Sequence, residues 1–158
     1  MNAVSTKTQR ERSAAVLLIE DERPTSEGLE AELTMRGFAV ELARTAAEAT
    51  RRLGEYPYSA VVLDLIIPDG GPPGATPEGA RKPSSWPGVA LLRCIRSGQF
   101  AERGVAAKLP VFVLTCVLAQ DTQEELNSLG YQEFWSKPTK PAIVAEGIKL
   151  FLQGKAET

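Results

Sequence analysis

Four positions carry groups that can do chemistry together: the Glu20-Asp21 pair, Asp64, Thr115 and Lys137. Each stands at or near the end of a short run. Ala14 to Ile19 leads into Glu20-Asp21-Glu22, Ser59 to Pro68 carries Asp64, Pro110 to Leu114 leads into Thr115, and Tyr131 to Ser136 leads into Lys137. The first three runs are apolar, partly β-branched and too short for helices, the pattern of strands buried on both faces of a parallel sheet. The fourth is more polar, as an edge strand should be. In open α/β sheets the ligand crevice lies outside the carboxyl ends of the strands, so these groups converge on one edge. Carboxylates gathered at contact distance repel one another, and at least one pKa must rise. A divalent cation removes that conflict. An oxygen-only donor set with neither His nor Cys points to a hard ion, and a few carboxylates with waters and substrate phosphate suit Mg²⁺. Lys137 adds a cation and Thr115 a hydroxyl, which with the metal make a pocket for a phosphoryl dianion. Such a site favours a carboxylate nucleophile and an aspartyl phosphate.

The elements between these runs alternate. Pro24 suits the first turn of a helix in which Leu29, Leu33 and Arg36 follow at helical spacing, and Gly37 closes it. Phe38 to Ala43 reads as a strand exposed on one side. Thr45 caps a helix over Ala46 to Glu55, whose Ala46, Ala49 and Leu53 share a face. Asp69 to Pro87 breaks the rhythm: nearly half of it is Gly or Pro, which predicts a long irregular loop. A helix resumes at Gly88 with Val89, Leu92, Ile95 and Arg96. Another spans Ala119 to Leu129 and stops at Gly130, and the last opens at Pro138 and Pro141 and packs through Val144, Ile148, Phe151 and Leu152. Strand and helix in alternation predict an α/β fold, a parallel sheet with helices on both faces.

Length and composition bound the rest. A chain of 158 residues suits one domain, here 14–153, with a polar, disordered tail over 1–13 and a short tail over 154–158. Hydrophobic residues at 43% and charged residues at 24% are ordinary for a globular domain. A net charge of −2 gives no invitation to nucleic acid or an anionic membrane. The absence of histidine excludes a His-based triad, a His metal site and a phosphohistidine carrier within this chain. Cys94 and Cys116 read as reduced core thiols of a cytoplasmic protein. No apolar run is long enough to span a bilayer, and the N-terminus lacks the hydrophobic core of a signal peptide.

Taken in order, five features resemble the receiver domain of two-component response regulators. They are Val16-Leu17-Leu18-Ile19-Glu20-Asp21-Glu22, Asp64-Leu65-Ile66-Ile67-Pro68, the Thr115 strand end, Gly130 after the fourth helix, and Ser136-Lys137-Pro138. The resemblance covers nearly the whole chain from Ala14 to Leu152. It implies a flavodoxin-like, doubly wound (βα)5 fold with strand order 2-1-3-4-5. It implies Asp64 as phosphoacceptor, Asp21 as a direct Mg²⁺ ligand, Glu20 acting mainly through water, and the Ile66 backbone carbonyl as a further ligand. Lys137 would contact the phosphoryl group and Thr115 would receive it through its hydroxyl, with the Cys116 amide nearby. Lys137-Pro138 is the bond that is typically cis in this family. Phe134 occupies the place of the family's aromatic switch residue, where Tyr is common, so it can swing but lacks the hydroxyl.

The same resemblance implies a signalling phosphoacceptor that catalyses only its own phosphotransfer and dephosphorylation. Its donor would be a histidine kinase or a histidine phosphotransfer protein docking on the first helix, Pro24 to Arg36. With no DNA-binding helix pair after the last helix, output is expected through protein contacts, from the surface of the fourth helix, fifth strand and last helix. Two departures stand out. The loop after Pro68 is longer than the family norm, and its usual glycine here matches Gly88; Trp86 and Arg81-Lys82 are candidate docking residues on it. Ile66 and Val117, two residues past Asp64 and Thr115, cannot orient a water, which predicts slow loss of the phosphoryl group. Three other classes fit less well. A phosphatase or phosphotransferase of the haloacid dehalogenase type needs an acid where Ile66 stands. A flavodoxin or dinucleotide-binding protein wants a Gly- or Ser/Thr-rich phosphate turn where Glu20-Asp21-Glu22 stands. A receiver-like interaction module working without phosphorylation would not need the full set of Asp64, Asp21, Lys137 and Thr115.

Overall fold

A computed structural model describes residues 13–70, 86–104, 106–116 and 119–156. The strands are β1 (Ala15–Ile19), β2 (Ala39–Ala43), β3 (Ala60–Leu63), β4 (Val111–Thr115) and β5 (Glu133–Ser136). The helices are α1 (Arg23–Met35), α2 (Ala46–Glu55), α3 (Pro87–Arg96), α4 (Gln120–Leu129) and α5 (Pro141–Ala156), with a 3₁₀ turn at Ala101–Arg103. All the strand pairs are parallel and the order is β2-β1-β3-β4-β5, as the resemblance implies.

The unbroken apolar character of β1, β3 and β4 has a direct cause: each faces helices on both sides. Alternate residues divide between two cores. Leu17, Ile19, Val61, Leu63, Val111 and Val113 pack with residues of α2, α3 and α4. Val16, Leu18, Ala60, Val62, Phe112 and Leu114 pack with Leu29 and Leu33 of α1 and Val144 and Ile148 of α5. At roughly 1.5–3 kcal/mol for each large apolar side chain buried, this two-sided packing dominates the stability of the sheet. β5, an edge strand, exposes Glu133 and Ser136, while Phe134 and Trp135 each lean against one core.

Three local readings need correcting. The third strand ends at Leu63, so residues 64–68 form a turn and not its continuation. The Ile66 N–H donates to Asp64 Oδ1 at 3.0 Å, an Asx-type turn that takes the backbone away from the ladder. Leu65 and Ile67 are nonetheless fully buried, because the turn folds over the first core. The last helix runs to Ala156, three residues into the segment expected as a tail. Cys116 is exposed and is not a core thiol, whereas Cys94 is half-buried and packs against the first core. Strand β4 closes at Thr115, and its two-sided burial stops there. Residues 1–12 of the tail expected over 1–13, the centre of the inserted loop (71–85, with Arg81 and Lys82) and Val117 lie outside the described residues.

Candidate functional site

The site is assembled from the carboxyl ends of β1, β3, β4 and β5. Asp64 follows β3 by one residue and is held on both oxygens. Its Oδ1 accepts from the Thr115 hydroxyl at 3.0 Å and from the Ile66 N–H at 3.0 Å. Its Oδ2 accepts from Lys137 Nζ at 2.8 Å. The same ammonium lies 2.6 Å from Glu20 Oε2 and 3.8 Å from the exposed Glu22. Glu20 is 1% exposed, Asp64 5% and Thr115 0%. Asp21 faces solvent, yet one oxygen each from Glu20, Asp21 and Asp64 lies within 4.8 Å of the others.

The electrostatics follow from this crowding. Burial raises the Glu20 pKa, and the neighbouring Asp64 charge adds to it; hydrogen bonds from Lys137 and the Glu22 N–H oppose the rise without cancelling it. Burial acts against the Lys137 charge, but hydrogen bonds to Asp64 and Glu20 outweigh it and raise its pKa. Lys137 is therefore a fixed cation between two buried acids. The Lys137-Pro138 bond that follows it is cis.

The backbone on the far side of Asp64 is supplied by α3. Pro87 takes the first helical position, where a missing N–H costs nothing, and Trp86 precedes it, half-buried against the first core. Gly88 lies flat on the turn: a Cβ there would sit 2.5 Å from both the Asp64 carbonyl oxygen and Leu65 Cα, and its N–H donates to the Leu65 carbonyl at 3.1 Å. Only glycine allows the helix to approach this closely. Phe134, on β5, is half-buried and packs against the first core.

Of the residues nominated from the sequence, Glu20, Asp21, Asp64, Thr115 and Lys137 meet at one hollow by their side chains and Ile66 by the turn it forms on Asp64, whereas Phe134 lies against the first core. Sequence reasoning missed Gly88 as a contact of Asp64, and it missed the support given by α2. The latter had a visible signal, since Thr45-x-x-Glu48 is a capping pattern. The donor set fits a hard divalent cation: three carboxylates, no imidazole anywhere in the chain, and one buried acid whose charge is disfavoured until a cation arrives.

Fold and site together define a class, a flavodoxin-like α/β domain with an acidic hollow and a half-buried lysine at the carboxyl ends of its strands. Solved structures with this fold include the response regulator receiver domain protein (CheY-like) of Methanospirillum hungatei JF-1, at TM-score 0.69 and 16% identity, covering 92% of this chain and 98% of that one. The signal receiver domain of a signal transduction histidine kinase from Syntrophus aciditrophicus superposes at TM-score 0.66 and 23% identity, covering 92% and 95%. Among curated proteins, the transcriptional regulatory protein QseB of Haemophilus influenzae is 43% identical over 142 residues, covering 87% of this chain and 52% of that protein. The transcriptional regulatory protein PmrA of Pectobacterium parmentieri is 29% identical over 123 residues, covering 78% and 45%. The chain spans about half the length of these curated relatives. No family model matches it. The fold is that of response-regulator receiver domains, and the curated proteins to which the chain is similar are response regulators.

Proposed function

We propose that this receiver domain is a phosphoacceptor in a two-component or phosphorelay system, taking a phosphoryl group from a phosphohistidine donor onto Asp64. The observation that carries the reading is the Asp64 carboxylate itself, buried yet flanked by the Thr115 hydroxyl, the Ile66 N–H and the Lys137 ammonium. In the transfer, an Asp64 oxygen attacks phosphorus while the bond from phosphorus to the donor imidazole breaks. The imidazole leaves with the electron pair, and an acyl phosphate remains. Lys137 places positive charge where the phosphoryl oxygens arrive, and the Thr115 hydroxyl turns from Asp64 Oδ1 to donate to one of them. Glu20, Asp21, Asp64 and the Ile66 carbonyl would hold Mg²⁺, which when bound neutralises the negative charge that acids and phosphate bring together.

The donor carries the histidine that this chain lacks, on a kinase or a histidine phosphotransfer protein. A cavity of about 430 Å³ opens between the start of α1 and the loop after β5, lined by Pro24, Leu29, Cys116, Lys137 and Pro138. Its apolar wall beside Lys137 supports docking on α1. Output is proposed to pass through the α4, β5 and α5 surface to a downstream protein, with Thr115 and Phe134 as the switch pair. No helix among the described residues is long and apolar enough to cross a membrane. Reduced thiols and a phosphohistidine donor both belong to the cytoplasm, where the proposal puts the protein.

Incubation with acetyl phosphate and Mg²⁺, followed by intact mass measurement, tests the chemistry. A phosphoryl adduct is expected on the wild type and not on Asp64→Asn, and a chelator should abolish it. A wild type that takes no phosphoryl group under these conditions would overturn the proposal in favour of an interaction module that works unphosphorylated.

A further inference from the structure

The turn from Asp64 to Gly70 carries the proposed phosphoacceptor and the Ile66 carbonyl, and neither strand pairing nor a helix of its own holds its far end. What holds it is the first turn of α2. The Ala46 N–H donates to the Pro68 carbonyl and the Ala47 N–H to the Asp69 carbonyl, both at 2.9 Å. These are N–H groups that a helix N-terminus leaves without intrahelical partners. Gly70, at φ +71°, is pressed against Thr45, where a Cβ would lie 2.5 Å from Thr45 Oγ1. Thr45 is fixed in turn: its Oγ1 accepts from the Glu48 N–H at 3.1 Å, and Glu48 Oε2 accepts from the Arg44 N–H at 3.0 Å. Glu48 Oε1 also accepts from Arg52 at 3.2 Å. Arg44 Nη1 reaches the carbonyl of Asp21, at 3.5 Å, on the other acid-bearing loop. Arg44, just before the cap, and the first turn of α2 together touch both loops that supply candidate Mg²⁺ ligands.

We propose that the N-terminal turn of α2 sets the position of the Asp64 turn, with Thr45 and Ala46 as positioning residues for Mg²⁺ binding. The inference rests on the phosphoacceptor reading for its purpose but on the Pro68 and Asp69 contacts for its geometry. A cation held by several oxygens depends on partners that fix those oxygens, and loss of such partners lowers affinity.

Ala46→Pro separates positioning from helix stability. Ala46 is the first helical residue, where proline is favoured, and Thr45 at φ −137°, ψ 160° already has the extended backbone that a following proline requires. The ring would replace the N–H and crowd the Pro68 carbonyl, so the turn must move while α2 stays. Titration of Mg²⁺ by calorimetry should show affinity weakened by about tenfold. Hydrogen exchange should speed up at residues 65–70 and stay at the wild-type rate in the body of α2. Thr45→Ala should give a smaller loss, about threefold, that Thr45→Ser restores. Ala46→Pro and Thr45→Ala proteins that bind Mg²⁺ within about twofold of wild type and protect residues 65–70 normally would overturn the inference. The two readings fail separately. A wild type that binds neither Mg²⁺ nor phosphoryl group, with the turn still loosened by Ala46→Pro, sinks the function and the Mg²⁺ role but leaves the strut. A wild type that binds both, matched by its variants, sinks the positioning role alone.

Discussion

Lys137 is the residue on which the site's electrostatics turn. It lies within 2.8 Å of carboxylate oxygens from both Glu20 and Asp64, and those acids are almost wholly buried. Removing one partner from a buried ionic group costs far more than the net worth of the pair, because charge is left stranded. Lys137→Ala is expected to lose about 3 kcal/mol of stability at neutral pH, measured by urea unfolding without Mg²⁺. Its pH dependence has a definite sign. A carboxyl pKa raised by folding means that the folded state binds the proton more tightly, so stability rises as pH falls through that range. Glu20 is already raised in the wild type, and without Lys137 it should rise further. The deficit of Lys137→Ala should therefore shrink on acidification, and a deficit independent of pH would refute the stranded-charge account. Ile66 bears on a different step. Its N–H serves Asp64, but its side chain has no group to orient a hydrolytic water. The phosphorylated form is expected to decay slowly, and Ile66→Asn should speed loss of label by about tenfold. Rapid loss in the wild type, unchanged in that variant, would count against the idea.

At the scale of elements, the hollow is a product of how closely helices approach the strand ends. Pro87 starts α3 at a point where Gly88 can lie on the Asp64 and Leu65 backbone. A methyl group there meets backbone atoms at 2.5 Å, and backbone cannot swing aside as a side-chain tip can. Gly88→Ala is expected to cost about 1–3 kcal/mol in unfolding free energy and to reduce the yield of the acetyl phosphate adduct. A variant as stable and as reactive as wild type would show that α3 has room to retreat. On the opposite flank α2 contributes carbonyl-binding N–H groups where α3 contributes bare backbone. The Asp64 turn is clamped between the two.

The whole molecule has two poles with different tasks. The carboxyl pole gathers acids and a lysine; the amino pole is closed by Arg96. Its guanidinium donates to the carbonyls of Ala107, Leu109, Leu129 and Gly130, at 2.7 to 3.2 Å, tying α3 to the end of α4 and to the approach to β4. Burial lowers its pKa, the cost of placing that charge among backbone carbonyls. A lysine cannot reproduce such a planar fork of donors. Arg96→Lys is expected to lose about 1–3 kcal/mol of stability while Mg²⁺ affinity stays at the wild-type value, because the sheet separates the two poles. Lost Mg²⁺ affinity in a folded Arg96→Lys protein would mean that the poles are coupled.

The sequence by itself determined the elements and the inventory of reactive groups. Apolar runs of strand length and helical spacing are short-range properties, so β1, β4 and all five helices were legible within a few residues. The acids, hydroxyl and amine at the run ends were legible for the same reason, because strand ends in a parallel sheet share one edge. The exceptions mark the limit of that reasoning. Leu65 and Ile67 read as strand because burial in a turn over the core leaves the same apolar mark as burial in a sheet. Cys116 read as core because its neighbours before it are. Tertiary structure alone decided which partner each group meets: Lys137 between Glu20 and Asp64, Gly88 against the Asp64 backbone, the α2 N–H groups on Pro68 and Asp69. Those contacts join residues far apart in the chain, and their geometry depends on strand order and helix approach, which no local pattern encodes.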